Sequence, residues 1–199
     1  MLQRAVRPDG AYLSVNIGIA PKDPDGVTVL TSALNLDADN NGTNERANIG
    51  TAQLWFGRMA LKNAYGSDLM NLPIPIQMQY WSGTYFQQNT QDNCTSISSI
   101  SNVVLGNYLG GVNAGNMTNP GNIILGGAFN AGLGSLTLSK PLPQPTARGS
   151  VDVTINLGSE NKTYLQGNWT SATYNQNPVS RAMFGIYKGG PVIYSREMY

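Results

Sequence analysis

Leu72, Ile74, Ile76, Met78 and Tyr80 occupy every second position of a ten-residue run, residues 72–81, with Pro, Gln and Trp between them. Alternation of period two over that length defines a strand with one buried face, and no helical face can be drawn through it. The same period recurs at residues 11–19 (Leu13, Val15, Ile17, Ile19), 27–36 and 52–61, the last with Gly57 as an expected bulge. Shorter strands are expected at 84–88, 103–105, 122–125, 135–139, 150–157, 182–187 and 191–196. Turn chemistry separates them, as in Pro21-Lys22-Asp23-Pro24-Asp25-Gly26 and Lys188-Gly189-Gly190. No window of a dozen residues carries the three-and-four apolar spacing of a helix. The expectation is an all-β chain, an antiparallel β-sandwich of immunoglobulin-like or related kind with long polar loops. It forms one unit, or two packed β subdomains divided near 92–101. Pro73 and Pro75 lack donors and predict that the start of their strand is an edge. Residues 106–120 and 141–146, rich in Gly and Asn or in Pro, are expected to be loose.

What such a sandwich can do is narrowed by what it lacks. Histidine is absent, which removes Ser-His-Asp and Cys-His catalysis and histidine-based zinc sites. Cys94 is the one cysteine, so no disulfide closes within the chain: it is a free thiol or half of a bond to another molecule. Charged residues make up 12%, and the net charge is +1, with no basic run. That balance predicts no nucleic-acid partner. No apolar run reaches the roughly 20 residues of a membrane span. The first eight residues have no apolar segment of the signal-peptide kind and read as a cut within a longer protein.

Five of the eleven acidic residues lie between Asp23 and Glu45. The densest group is Asp37-Ala38-Asp39-Asn40-Asn41-Gly42-Thr43-Asn44-Glu45. Asp37, Asp39, Asn41, the Thr43 carbonyl and Glu45 alternate as oxygen ligands do in a calcium loop, and Gly42 permits the sharp bend. Asn48 stands where a helix–loop–helix site would place its bidentate glutamate, and no helices flank the loop. What remains is a calcium site on a β-connection, or a bare acidic turn. Asp23 and Asp25 read as a type I turn.

Two further groups have a functional and a structural reading. Tyr80, Trp81, Tyr85 and Phe86 form an aromatic hairpin, with Trp169 and Tyr174 as a second group. Tyr80, Trp81 and Trp169 are the candidates for stacking on sugar rings; the structural reading is packing across strands. Asp92, Asp152, Glu160 and Glu197 are the carboxylates from which a glycosidase pair could be drawn, and none sits in a recognisable motif. Arg181, Arg196 and Glu197 are expected in structural ion pairs. Asn-x-Ser/Thr sequons at Asn41, Asn93, Asn116, Asn161 and Asn168 follow from an Asn- and Thr-rich composition.

The ordered set Phe56-Gly57-Arg58, Asn63-Ala64-Tyr65-Gly66-Ser67, Leu72-Pro73-Ile74-Pro75, Gln79-Tyr80-Trp81 and Asn89-Thr90-Gln91-Asp92-Asn93-Cys94-Thr95 is distinctive, as is the ending from Arg181 to Tyr199. Together they resemble the C-terminal region of MshQ-like proteins, bacterial envelope proteins encoded with type IV pilus genes of the mannose-sensitive haemagglutinin kind. The family's characterising domain has no assigned activity. The resemblance implies a non-enzymatic module at the Gram-negative cell surface, acting in pilus biogenesis or adhesion. It implies pilus or other surface proteins, or glycans, as partners. It also implies that Tyr199 is the natural C-terminus and that a signal peptide and a lectin-like portion lie upstream. The segment 168–175 departs from the family pattern in carrying no acid, so no second calcium site is expected there. Cys94 matches the family's cysteine.

Overall fold

The computed structural model describes residues 4–117, 123–142 and 148–185. Among them the strands, in chain order, are β1 (Tyr12–Ile19), β2 (Ala47–Leu54), β3 (Gly57–Leu61), β4 (Ala64–Gly66), β5 (Leu72–Trp81), β6 (Phe86–Gln88), β7 (Val103–Gly110), β8 (Ile123–Leu125), β9 (Leu133–Leu138), β10 (Gly149–Ile155) and β11 (Val179–Phe184). The helical structure among these residues is confined to three-residue 3-10 turns. No helix among them is long and apolar enough to cross a membrane. The chain is all-β, and its pairings are antiparallel except for β4 with β11.

Two sheets face each other as a sandwich, β3-β5-β9-β8 with β6 continuing alongside β5, and β4-β11-β10-β7. The alternation in β5 does what the sequence predicts: Leu72, Ile74, Ile76 and Met78 are buried while Pro73 and Pro75 are exposed. They meet Val151, Val153 and Ile155 of β10, Leu136 and Leu138 of β9, and Ala182 and Phe184 of β11 in one continuous core. Each fully buried Leu, Ile or Met contributes about 1.5–3 kcal/mol of transfer free energy. The segment between β6 and β7 carries the chain from one sheet to the other.

The third sheet is the ribbon β1-β2, which stands outside this core. Among the described residues from 4 to 54, none is buried. Tyr12, Leu13, Ile17, Ile19 and Ile49 are exposed on it.

Several local expectations are corrected. Residues 27–36 form no strand: Lys22 bridges Thr28 across the Asp23–Gly26 turn, a 3-10 turn follows at Thr31–Ala33, and Leu36 bridges Arg46. Val27 and Leu30 are exposed, so their apolar character finds no face to bury. The partner of β1 is instead the polar stretch Ala47–Leu54, which a ribbon without a buried face accepts. The strand expected at 52–61 is cut at Trp55-Phe56. Its first half joins the ribbon and its second half, opening on Gly57, joins the sandwich. Residues 106–110, expected to be loose, belong to β7, and the pairing with β10 carries a register shift between Ser150 and Asp152. Asn107, at φ 48°, sits in that irregularity. The prolines of β5 are on an edge on one side only. The Lys62 N–H donates to the Pro75 carbonyl at 2.9 Å, which turns the odd-numbered backbone groups of β5 toward β3. β3 ends at Leu61, opposite Ile76, while Leu72–Gln77 pair with β9 on the other side. The strand expected at 191–196 and the turn at 188–190 lie outside the described residues.

Candidate metal centre

The 37–45 loop hangs from the ribbon by a short ladder. Leu36 and Arg46 exchange N–H···O bonds at 3.0 and 3.1 Å, and the Glu45 N–H also donates to the Leu36 carbonyl. The base of this ladder packs on β1 at Gly18, where an added Cβ would stand 2.6 Å from Leu36 Cδ2 and 2.8 Å from Arg46 Cβ. Within the loop, Asn40 and Gly42 take positive φ, 60° and 89°, which folds the chain tightly enough for alternate side chains to converge.

They do converge. Asp37, Asp39 and Glu45 each offer a carboxylate oxygen, all within 4.8 Å of one another. The Gly42 N–H donates to Asp37 Oδ2 at 2.8 Å, and the Asn41 N–H lies 3.2 Å from Asp37 Oδ1 and 3.3 Å from Asp39 Oδ1. The Asn41 side chain donates Nδ2–H to Asp39 Oδ2 at 3.1 Å and to Glu45 Oε1 at 3.0 Å, so a partial positive charge stands between two carboxylates. The Ala38 N–H donates to Glu45 Oε2. Thr43 enters through its N–H, donated to Asn41 Oδ1 at 2.8 Å. The Gly42 N–H, helped by that of Asn41, holds the Asp37 carboxyl below the usual carboxylate range. Three anionic groups at such spacing repel by about 1 kcal/mol per pair in a water-like dielectric. The three converging carboxylates are hard oxygen donors of the kind that suits a hard cation.

Asp23 and Asp25 form no part of the cluster. The Gly26 N–H donates to the Asp23 carbonyl at 3.0 Å and the Asp25 N–H to Asp23 Oδ1, as the turn reading predicts.

The aromatic candidates are held by neighbours. Tyr80 stacks on Trp55 with ring centroids 4.4 Å apart, and its hydroxyl accepts from Gln87 Nε2. Trp81 packs edge-on against Phe86 at 5.2 Å. The Arg58 guanidinium lies 3.7 Å from the Phe86 ring centre and 4.8 Å from that of Trp169. Arg4 sits 3.9 Å over Phe56 and donates to the carbonyls of Tyr174, Gly57 and Gln166. These arginines, far from the rings in sequence, gave no local signal of this role.

Among the described residues, the candidate glycosidase carboxylates Asp92, Asp152 and Glu160 are each committed. Asp92 accepts from the N–H groups of Cys94 and Thr95 and from the Thr95 hydroxyl. Asp152 pairs with Arg181 across β10 and β11 at 2.6 Å and takes a further bond from Asn107. Glu160, buried, accepts from the Ser98 N–H, Asn102 Nδ2 and Lys162 Nζ. Burial pushes the Glu160 carboxyl up, but these donors outweigh it and bring it down to about 2. Arg181 therefore has Asp152 as its partner; Arg196 and Glu197 lie outside the described residues. Cys94 is exposed and carries no disulfide.

No curated protein and no solved structure matches the chain significantly. Residues 55–198 match the family described as DUF6701, fourth domain, beginning where the ribbon ends and the sandwich starts. The match takes in most of the chain, and the protein belongs to that family of uncharacterised domains.

Proposed function

We propose that the protein is a non-enzymatic module of a bacterial surface protein, of the MshQ-like kind, that acts in type IV pilus biogenesis or adhesion, and that its 37–45 loop holds a structural calcium ion. The observation that carries the calcium reading is the convergence of Asp37, Asp39 and Glu45 to within 4.8 Å on a loop closed by the Leu36–Arg46 ladder. With the Asn41 amide turned over to present Oδ1 in place of Nδ2, Asn41 and the Thr43 carbonyl would complete the ligand set. A divalent cation offsets the mutual repulsion of the three carboxylates and orders a segment that no core supports. Three carboxylates on an exposed loop give modest affinity, roughly the 10⁻⁴–10⁻³ M range of extracellular modules. The surface and pilus reading is supported by the order and spacing of the motifs from Phe56 to Thr95, and its partners would be pilus or other surface proteins.

Calcium is tested by amide hydrogen exchange and thermal melting with and without excess EGTA. Chelation is expected to speed exchange at Asn41, Gly42 and Arg46 and to lower the first melting transition, and Asp37→Ala with Asp39→Ala to abolish both effects. Identical exchange and melting with and without EGTA would overturn it. Antibody labelling of intact cells tests the location: labelling only after lysis removes the surface role.

A further inference from the structure

A groove of about 670 Å³ runs between the N-terminal segment and the sandwich, well within the size range of small-molecule sites, and the acidic loop takes no part in it. Its wall includes the stacked pair Trp55 and Tyr80, with Tyr12 from β1 nearby and Asn89, Gln91 and Asp92 around them. Trp55 Nε1–H is buried and has no acceptor among the described residues. The Gln91 carboxamide is likewise without a side-chain hydrogen bond among the described residues, and Asn89 uses only Oδ1, which accepts from the Gln91 N–H at 3.2 Å. Asp92 is held rigidly by the Cys94 and Thr95 donors and keeps acceptor capacity on its two oxygens.

We propose that this groove binds a neutral pyranose sugar. The apolar C–H face of a pyranose suits an aromatic wall, while its hydroxyls, each both donor and acceptor, suit the Asn89 and Gln91 carboxamides and the fixed Asp92 carboxylate. An acidic sugar or phosphate is disfavoured, because the one cation lining the groove, Arg4, already serves three backbone carbonyls. A quaternary ammonium would meet the aromatic rings and the Asp9 and Asp92 carboxylates but has no group to offer the Asn89 and Gln91 carboxamides. The site differs from exposed-ring stacking at Trp81 and Trp169, which Phe86 and Arg58 contact. It goes beyond the calcium reading and does not depend on it, so calcium and EGTA conditions should give the same sugar binding.

The test is an NMR titration of the full chain with glucose, galactose, mannose, N-acetylglucosamine, maltose, cellobiose and lactose, with glucuronate and choline as controls. The three indole N–H signals distinguish Trp55 from Trp81 and Trp169. At least one neutral sugar is expected to shift the Trp55 indole and Gln91 carboxamide signals saturably at a roughly millimolar Kd. Exposed Gln91→Ala should weaken that binding about tenfold with the rest of the spectrum unchanged. Tyr80→Phe, which keeps the ring, should retain it. The proposal is overturned if no neutral sugar moves the Trp55 signal, if choline or glucuronate moves it and the neutral sugars do not, or if the sugar shifts fall on Trp81 or Trp169 instead.

Discussion

Glu160 shows how a single side chain can be structural while looking catalytic. Buried carboxylates with shifted acidity attract functional readings, yet every donor around Glu160 belongs to the crossover between the sheets or to Lys162. Its folded pKa of about 2 lies below the ordinary 4.5. A depressed carboxylate stabilises the fold above the unfolded value, and that contribution is lost as pH falls from about 4.5 toward 2. The amount is on the order of 3 kcal/mol. Urea unfolding at neutral pH and at successively lower pH should show this loss, and Glu160→Gln should flatten it while lowering neutral-pH stability by about 2–4 kcal/mol, since Lys162 is left unpaired. An unchanged acid slope in the variant would assign it to other groups. Arg4 is the second such residue. Its guanidinium serves three carbonyls and lies over Phe56, so Arg4→Ala is expected to cost about 2–4 kcal/mol by chemical unfolding. At this scale the sequence displayed the acids, the rings and the packing of Trp81 on Phe86 across the hairpin, but not the distant partners, because Glu160 and Ser98, or Arg4 and Tyr174, meet only through the fold.

Strands were legible where apolar residues alternate, in the buried β5 and in the unburied β1 alike. β5, with a buried face alternating with exposed prolines, was readable to the residue. β2 was not, since a strand with no buried residue needs no apolar pattern. The parallel pairing of short β4 with β11 was missed for a related reason: three residues carry too little pattern, and their partner lies more than a hundred positions away. Two contrasts test this account. Ile74→Ala, deep in β5, should lower stability by about 2–5 kcal/mol, whereas exposed Pro73→Ala should change it by less than about 1 kcal/mol in the same denaturation assay. Gly18→Ala should disturb the loop base specifically, because its Cβ would collide with Leu36 and Arg46. Chemical-shift changes confined to β1 and residues 35–48 are expected, with the sandwich spectrum intact.

The molecule as a whole divides by burial, into a sandwich from Phe56 onward that holds the core and an N-terminal excursion that holds none of it. Both ends of that excursion are fastened near one point, Arg4 donating to the Gly57 carbonyl just beyond the end of β2. Limited trypsin digestion should therefore cut first after exposed Lys22 and Arg46 and leave a folded fragment beginning near Ala47. Simultaneous loss of all tryptic sites would show that the two parts unfold together. The sequence alone determined the all-β class, the buried face of β5, the Asp23–Gly26 turn and the spacing of the acidic loop, because each depends on neighbours within a few residues. Tertiary structure decided that β1 pairs with Ala47–Leu54, that one expected strand is shared between ribbon and sandwich, that arginines cover the aromatic rings, and that Trp55 lines a groove with Gln91. Those depend on which distant segments bury which faces, and a linear pattern records the existence of an apolar face without naming what will cover it.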